Sequence, residues 1–470
     1  MYMSKMPSPE RAQKEIAKRE KQLNRPRGKY YLAYLFFIIS IIYITDEVAS
    51  AIGTFMRTEI ANDMMSKFGE ASVSMLDIIT VISFPFMALG VLYKPLADKF
   101  GRKPFLVINT FGMCLGLIVV YATNNVIGYV IGACMTQFFI THDMQVVYIM
   151  ESAPDKHRAK IYSCIKCIAM LGVLIIPLLR KYLMHETAQW RRVYIIPALI
   201  GLVVSIVSLL LAKETDAFNM ARINYLKGNT VENGTESSGG MIDSLKFAFS
   251  HKQLRWIFLA LVFCETGFIL TNDYQVIMTY GYANKFLEQG LFTSLDAALE
   301  SVSVNEITTA LFLYPVGCAI SQLFPGFISD KFGRKKSAVT MSAAAIVCFL
   351  VFWFGSRYGI DPRIVGFFCG ASVGFFWANI DTICLMAGES TPTALRSSML
   401  SVTYLPLGIG IGISFGVSIP LMAHFGNSSV GIIALCLAVP GLLADFIILT
   451  TRVKDTKGVD LKTVKGDEWD

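Results

Sequence analysis

The sequence predicts an all-α membrane protein whose twelve transmembrane helices form two pseudo-symmetric six-helix bundles. Three observations predict it. The chain is apolar and carries few charges. It contains twelve apolar runs long enough to cross a bilayer. A pair of charged motifs occurs once in each half, in the same order.

Hydrophobic residues make up 54% of the 470 residues and charged residues 16%; mean hydropathy is +0.53. A soluble domain has about a quarter charged residues, because it needs a polar skin. This composition excludes an ordinary soluble fold. All ten cysteines lie inside apolar runs, and Cys164 and Cys167 form a CxxC with no second ligand pair. They are expected to act as small apolar fillers.

Residues 1–29 hold nine Lys or Arg and three Glu, so they carry +6 of the net charge of +7. A nucleic-acid arm is one reading of such a segment. The positive-inside rule gives the commoner one, a cytoplasmic tail. The first apolar run starts near Tyr30 and is too long for the core of a secretory signal.

A helix needs about 20 apolar residues to span the hydrocarbon core, where its backbone must satisfy itself. Six runs near 30–53, 75–94, 105–122, 126–150, 161–183 and 193–212 form an expected first bundle, residues 30–212. Six more near 255–280, 305–324, 338–356, 363–388, 398–422 and 429–450 form a second, residues 255–452. They are called spans 1–12 below. The polar stretch 213–254 is the expected linker, and 453–470 the expected C-terminal tail. An even count puts both termini on one side, which the basic tail makes cytoplasmic. Arg180, Lys181, Arg191 and Arg192 break the charge rule, since they fall in the outer loop between spans 5 and 6.

The duplication is specific. Asp98-Lys99-Phe100-Gly101-Arg102-Lys103 recurs as Asp330-Lys331-Phe332-Gly333-Arg334-Lys335. Glu151-Ser152-x-Pro154-x-x-x-Arg158 recurs as Glu389-Ser390-x-Pro392-x-x-x-Arg396. Parallel six-helix repeats of this kind are a transporter organisation. Two fainter echoes accompany them. Asp143 precedes Glu151 as Asp381 precedes Glu389, and Thr45-Asp46-Glu47 resembles Thr271-Asn272-Asp273. Eight helical residues rise about 12 Å, which places Asp143 and Asp381 well inside the membrane.

On these motifs the chain resembles the major facilitator superfamily of secondary transporters, from about Tyr30 to Arg452. The loop Gly326-x-x-x-Asp330-Lys331-x-Gly333-Arg334-Lys335 matches the family pattern; the first copy has Lys94 where Gly is usual. The Glu-x-x-Pro-x-x-x-Arg elements, Trp190-Arg191 and Glu214-Thr215 are most similar to the sugar-porter and metabolite–proton symporter branches. Paired glutamines at the start of span 7 and an arginine in the middle of span 4, two sugar-porter hallmarks, are missing. The resemblance implies two bundles rocking about a midplane site.

The motif loops themselves suggest a cytoplasmic gate. Asp98, Gly101, Arg102, Asp330, Gly333 and Arg334 give tight cationic turns, and Glu151 and Arg158, or Glu389 and Arg396, can pair with them. Ion pairs that break and re-form let an interface hold two states. The alternative role is an orientation anchor.

Ionisable groups inside spans are by default functional candidates. Asp46 and Glu47 lie late in span 1. Burial favours a neutral acid, the property a proton-coupling group needs. Their alternative is an interfacial pairing with Arg57. His142 and Asp143 are adjacent in span 4 and could relay protons, or Asp143 could pair with Lys166. In span 7, Glu265, Asn272 and Thr279 recur every seven residues and are expected on one face, broadened by Asp273 and Gln275. In span 10, Asn379 and Asp381 lie near Trp377, an aromatic wall with one donor; Phe368, Phe375 and Phe376 read as packing. The excess of acids suits protons or a cationic solute, and also a neutral polyhydroxy solute once they are protonated. Pro and Gly in span 11 (Pro406, Gly408, Gly410, Gly412, Gly416, Pro420) fit a helix that bends or packs closely.

These features lead to a proton-coupled symporter of a small polar solute, a sugar or related metabolite, working by alternating access. The alternatives are a proton-driven exporter of cationic or amphipathic compounds and, more distantly, a nutrient sensor. No P-loop, nucleophile elbow or zinc motif suggests an enzyme or an ATP-driven pump. The expected partners are solute, protons and the lipid bilayer, with no nucleic acid. No metal or cofactor is expected, the energy source being a proton gradient. The expected state is a monomer, multi-pass in the cell (plasma or inner) membrane.

Overall fold

The computed structural model describes residues 8–24, 30–139, 158–227, 241–392 and 402–458, together with Tyr148, Leu395 and Met399. Among them every regular element is helical, and each expected span coincides at least in part with a helix; Pro9–Leu23, Arg57–Met64, Asp216–Leu226, Met241–Ser250 and Leu295–Val302 lie outside the spans. The first bundle contains Tyr31–Phe55, Ser72–Phe100, Arg102–Ala122, Val126–Phe139, the broken pair Arg158–Gly172 and Ile175–Leu183, and Arg191–Leu211. The second contains the broken span Lys252–Glu265, Phe268–Asn272 and Tyr274–Glu288, then Thr308–Phe332, Arg334–Tyr358, Pro362–Glu389, Tyr404–Phe425 and Val430–Thr451. Among the described residues, eight helices are long and apolar enough to cross a membrane; Ser72–Ser83 and Val126–Phe139 are shorter apolar stretches. Spans 5 and 7 account for the rest through their broken helices. The helix Pro9–Leu23 meets the linker helix Asp216–Leu226, and Lys454 meets Gln253 after the linker; this end of the molecule is called the termini end. The other is the distal end.

Membrane helices associate through close packing of small residues rather than through the hydrophobic effect. Spans 8 and 10 show this plainly. A Cβ at Gly366 would lie 1.8 Å from the Ala310 carbonyl oxygen, and one at Gly370 1.9 Å from that of Tyr314. Four-residue spacing puts both glycines on one stripe, so the backbones touch. Spans 3 and 4 cross likewise: a Cβ on Gly116 or Gly132 would meet the other's carbonyl oxygen at 2.9 Å.

The duplicated turns are duplicated structures. Gly101 (φ 113°) and Gly333 (φ 105°) adopt a backbone that favours glycine. Each precedes a helix whose first amides are capped by a carboxylate from far along the chain. Glu214 accepts from the amides of Arg102 (2.9 Å) and Lys103 (3.3 Å). Asp455 accepts from those of Arg334 (2.9 Å) and Lys335 (3.3 Å). A carboxylate at a helix N-terminus satisfies orphan donors and the helix dipole together.

The basic tail holds an ordered helix, Pro9–Leu23, which docks on the linker helix Asp216–Leu226. Arg19 donates to Asn219 (2.8 Å), Arg222 to Glu15 (3.1 Å) and Lys227 to Glu20 (2.7 Å).

Candidate transport pathway

Among the described residues, hydrogen bonds between the halves cluster at the distal end. Span 1 ends at Phe55, and the short helix Arg57–Met64 folds back over the bundle. Arg57 there is buried and donates from Nε to Asp273 of span 7 at 2.6 Å; its Nη2 bonds Asp77 of span 2. Asn272 donates to Asp77 (3.0 Å) and to Asp273 (3.2 Å). Glu59 pairs with Arg180 of span 5 at 2.6 Å, and accepts from Gln275 (2.8 Å) and from the Ser303 hydroxyl. Arg180 also donates to the carbonyls of Phe55 (2.7 Å) and Ser303 (2.9 Å). Thr54 and Tyr274 hydroxyls meet at 3.2 Å, and Tyr274 stacks on Tyr314. Asn427, between spans 11 and 12, bonds Ser72 (2.9 Å) and the Val73 amide (3.2 Å). This layer ties the bundles through buried, largely hydrogen-bonded polar groups, as a buried charge requires; Asp77 Oδ2 has no hydrogen-bond partner among the described residues.

Two of the four cations that break the charge rule are explained here. Arg180 is fully buried in the network. Arg191 pairs with Asp63 at 2.6 Å, beside the indole of Trp190, which donates to the same carboxylate at 2.8 Å.

Nearer the termini end, Lys166 of span 5 pairs with Asp381 of span 10 at 2.6 Å. The side chains are 14% and 57% exposed, although both lie deep along their helices. Asp381 shares an exposed face of span 10 with Trp377 and Leu385. Trp377 meets Phe268 edge-on, and Phe268 meets Phe415. Glu47 and Lys166 both lie within electrostatic reach of Cys318 of span 8, whose Sγ sits 3.7 Å from Met170 Sδ. These residues bring two acids and one cation together where the halves meet.

Several expectations need correction. Arg57 bonds Asp77 and Asp273, so it does not anchor Asp46 and Glu47 at an interface. Asp46 is buried beside Cys114, inside the first bundle. Lys166 meets Asp381; Asp143, its expected partner, lies outside the described residues with His142, Glu151 and Arg396. Glu265, Asn272 and Thr279 do not share a face, because span 7 breaks after Glu265 and again at Asp273. Glu265 packs on Gly410 of span 11, Asn272 reaches the first bundle, and Thr279 bonds its own turn. Asn379 is buried within its bundle, donating to Asp445 of span 12 at 2.6 Å, and so leaves the lining. Of the gate motifs, Arg334 bonds Glu389 at 3.1 Å inside one bundle. Asp98, Arg158 and Asp330 are placed by their helical backbones alone. The sequence reading passes over Glu59, Asp77 and Asp445. The last two sit inside apolar runs, the signal that picks out Asp46.

Two six-helix bundles meeting around a polar midline are the organisation of a membrane transporter. The chain belongs to the Major Facilitator Superfamily, whose model matches residues 32–295 and 279–466. It is similar to a proline/betaine transporter of Salmonella typhimurium, 24% identical over 85% of this chain and 82% of that protein. It is also similar to a bicyclomycin resistance protein homolog of Haemophilus influenzae, 22% identical over 57% of this chain and 60% of that one. The inward-open structure of the xylose transporter XylE from E. coli has the same fold, with TM-score 0.62 at 16% identity over 94% of this chain and 100% of that one.

Proposed function

We propose that this chain is a proton-coupled symporter of a small zwitterionic or similarly polar solute, working by alternating access. The termini end is cytoplasmic, the distal end is the outer one, and the described state is closed outside. The observation that carries this reading is the half-exposed Lys166–Asp381 pair bridging the bundles beside Trp377. A cation and a carboxylate a few ångströms apart can exchange partners with a solute bearing both charges. An indole face beside them suits an ammonium group. The relative named as a proline/betaine transporter favours this class over a sugar. Glu47, Asp46 and Asp381 remain the proton candidates of the midline.

A second reading is proton-driven export of cationic compounds. The acids Glu47, near Cys318, and Asp381, on one face with Trp377, favour it, as does the relative named for bicyclomycin resistance.

Uptake into proteoliposomes tests both. Labelled proline, glycine betaine, xylose and an organic cation are offered with and without an inward proton gradient. Gradient-stimulated accumulation of a zwitterion, lost in Lys166→Met and in Asp381→Asn, is expected. Accumulation of xylose alone overturns the solute class, and gradient-driven extrusion of the cation overturns import.

A further inference from the structure

The network that closes the outer end holds an odd charge. Five ionisable side chains are buried in it: Glu59, Asp77 and Asp273 against Arg57 and Arg180. Glu59 and Arg180 balance one to one, and both Glu59 oxygens accept hydrogen bonds. Arg57 is left with two carboxylates. Asn272 bonds both but is uncharged. Asp77 Oδ2 is buried and has no hydrogen-bond partner among the described residues.

Among the described residues the surroundings do not correct the imbalance. Tyr129 of span 4 and Tyr194 of span 6 lie close enough to interact with Arg57, and both are phenols, neutral at physiological pH. Span 8 contributes the Ser303 hydroxyl, and the turn after span 11 contributes Asn427. Asp63 and Arg191 form their own pair. Two carboxylates on one guanidinium, away from water, leave an uncompensated charge that the interior does not tolerate. Two such acids share one proton, which belongs to the pair.

We propose that the outer end closes with uptake of one proton, held jointly by Asp77 and Asp273 on Arg57. The proposal rests on the alternating-access reading above. Arg57 and Asp77 belong to the first bundle and Asp273 to the second, so opening the outer end pulls Asp273 away. Arg57 and Asp77 then balance each other. The shared proton is then released to outer water. Closing reverses these steps. Because the closed state binds one proton more, acid outside favours closure. The closed-to-open ratio rises about tenfold for each unit of falling pH, over the range where only the closed state holds that proton.

The test is the distance between the bundles at the outer end, read by double electron–electron resonance. Spin labels enter as unnatural amino acids at the exposed Lys67 and Leu291, so the native cysteines stay in place. The full chain is measured in lipid nanodiscs between about pH 5 and pH 9, bracketing the physiological range, with no solute and no gradient. The expected result is a short-distance population that grows on acidification with a one-proton slope. Asp77→Asn and Asp273→Asn each leave Arg57 with one carboxylate. Each should remain closed with a flat pH response, while Glu288→Gln, at an exposed acid outside the network, keeps the slope. A wild-type distance indifferent to pH, or a full slope in either network variant, overturns the proposal. The two variants are read separately, so if one fails to fold the other still decides. A preserved slope without solute accumulation in liposomes sinks the symport reading alone. Accumulation without a slope sinks this one alone.

Discussion

Two ion pairs lie where the bundles meet and share one geometry: Lys166–Asp381 crosses between them, and Glu59–Arg180, within the first, reaches the second through Gln275 and Ser303. Glu59–Arg180 and Lys166–Asp381 both have a closest contact of 2.6 Å. They differ in surroundings. Both side chains of the first are fully buried, whereas Asp381 in the second is 57% exposed. A buried pair cannot lose one partner without stranding the other in a low dielectric. A hydrated pair dissolves into water at little cost. The distal layer is therefore built to hold a closed state, and the midline pair to exchange partners. Contact distance alone distinguishes nothing here; burial does.

Breaking the distal pair should have the largest effect. Arg180→Met strands Glu59 among apolar neighbours and should cost the closed state about 3–5 kcal/mol. The loss should appear as a lower melting temperature, or as a shift of the outer-end distance towards open. Glu59→Leu added to Arg180→Met should recover much of it, since removing both partners is far milder than removing one. Failure of the double variant to recover would mean that the carbonyl contacts of Arg180, not its charge, hold the layer.

The duplicated turns offer a middle-sized effect. Glu214→Ala and Asp455→Ala each uncap a helix within one bundle. Each should cost about 0.5–2 kcal/mol in thermal stability, the range for a lost N-cap. Neither tie crosses between the halves, so the outer-end distance should not move in either variant. A changed distance would show that the turns take part in gating after all.

Lys166→Met should cost less again, about 0–1 kcal/mol, as exposed pairs do, yet abolish gradient-driven accumulation. A clear loss of melting temperature with transport intact would reverse the roles assigned to the two pairs.

The fold was legible because its signals are long. An apolar run of spanning length needs no phase to be recognised, and the repeated Asp-Lys-Phe-Gly-Arg-Lys turns tie two sets of six together. The site was less legible because it depends on phase and on partners. Gly172 and Gly267 hint at breaks in spans 5 and 7, but the breaks themselves re-aim Glu265 and Asn272 and cannot be counted along the chain. Arg180 is visible as a breach of the charge rule. Its meaning needs Glu59, which reads as an ordinary loop acid 121 residues away. Asp77 and Asp445 are different: the rule that picks out Asp46 applies to them equally, and that signal was available.

The smallest expected effect lies outside the membrane and sharpens the same comparison between wet and buried pairs. The helix Pro9–Leu23 rests on Asp216–Leu226 partly through Glu15, which bonds Arg222 at 3.1 Å and Arg19 at 3.0 Å. Partial burial by itself pushes the Glu15 carboxyl up, but hydrogen bonds and charge contacts with Arg222 and Arg19 outweigh it and hold it below the ordinary glutamate value. A carboxylate depressed in the docked state favours docking more as pH rises above its undocked value. That contribution fades as pH falls through the depressed value, where the docked form at last takes the proton. Hydrogen–deuterium exchange across residues 9–23, corrected for intrinsic rates, should therefore show weaker protection under acid conditions than at neutral pH. Arg222→Ala should raise exchange at neutral pH and leave less for acid to remove. Equal pH responses in wild type and variant would mean that the helix is held by Arg19 on Asn219 and over the Phe218 ring, not by the Glu15 charge.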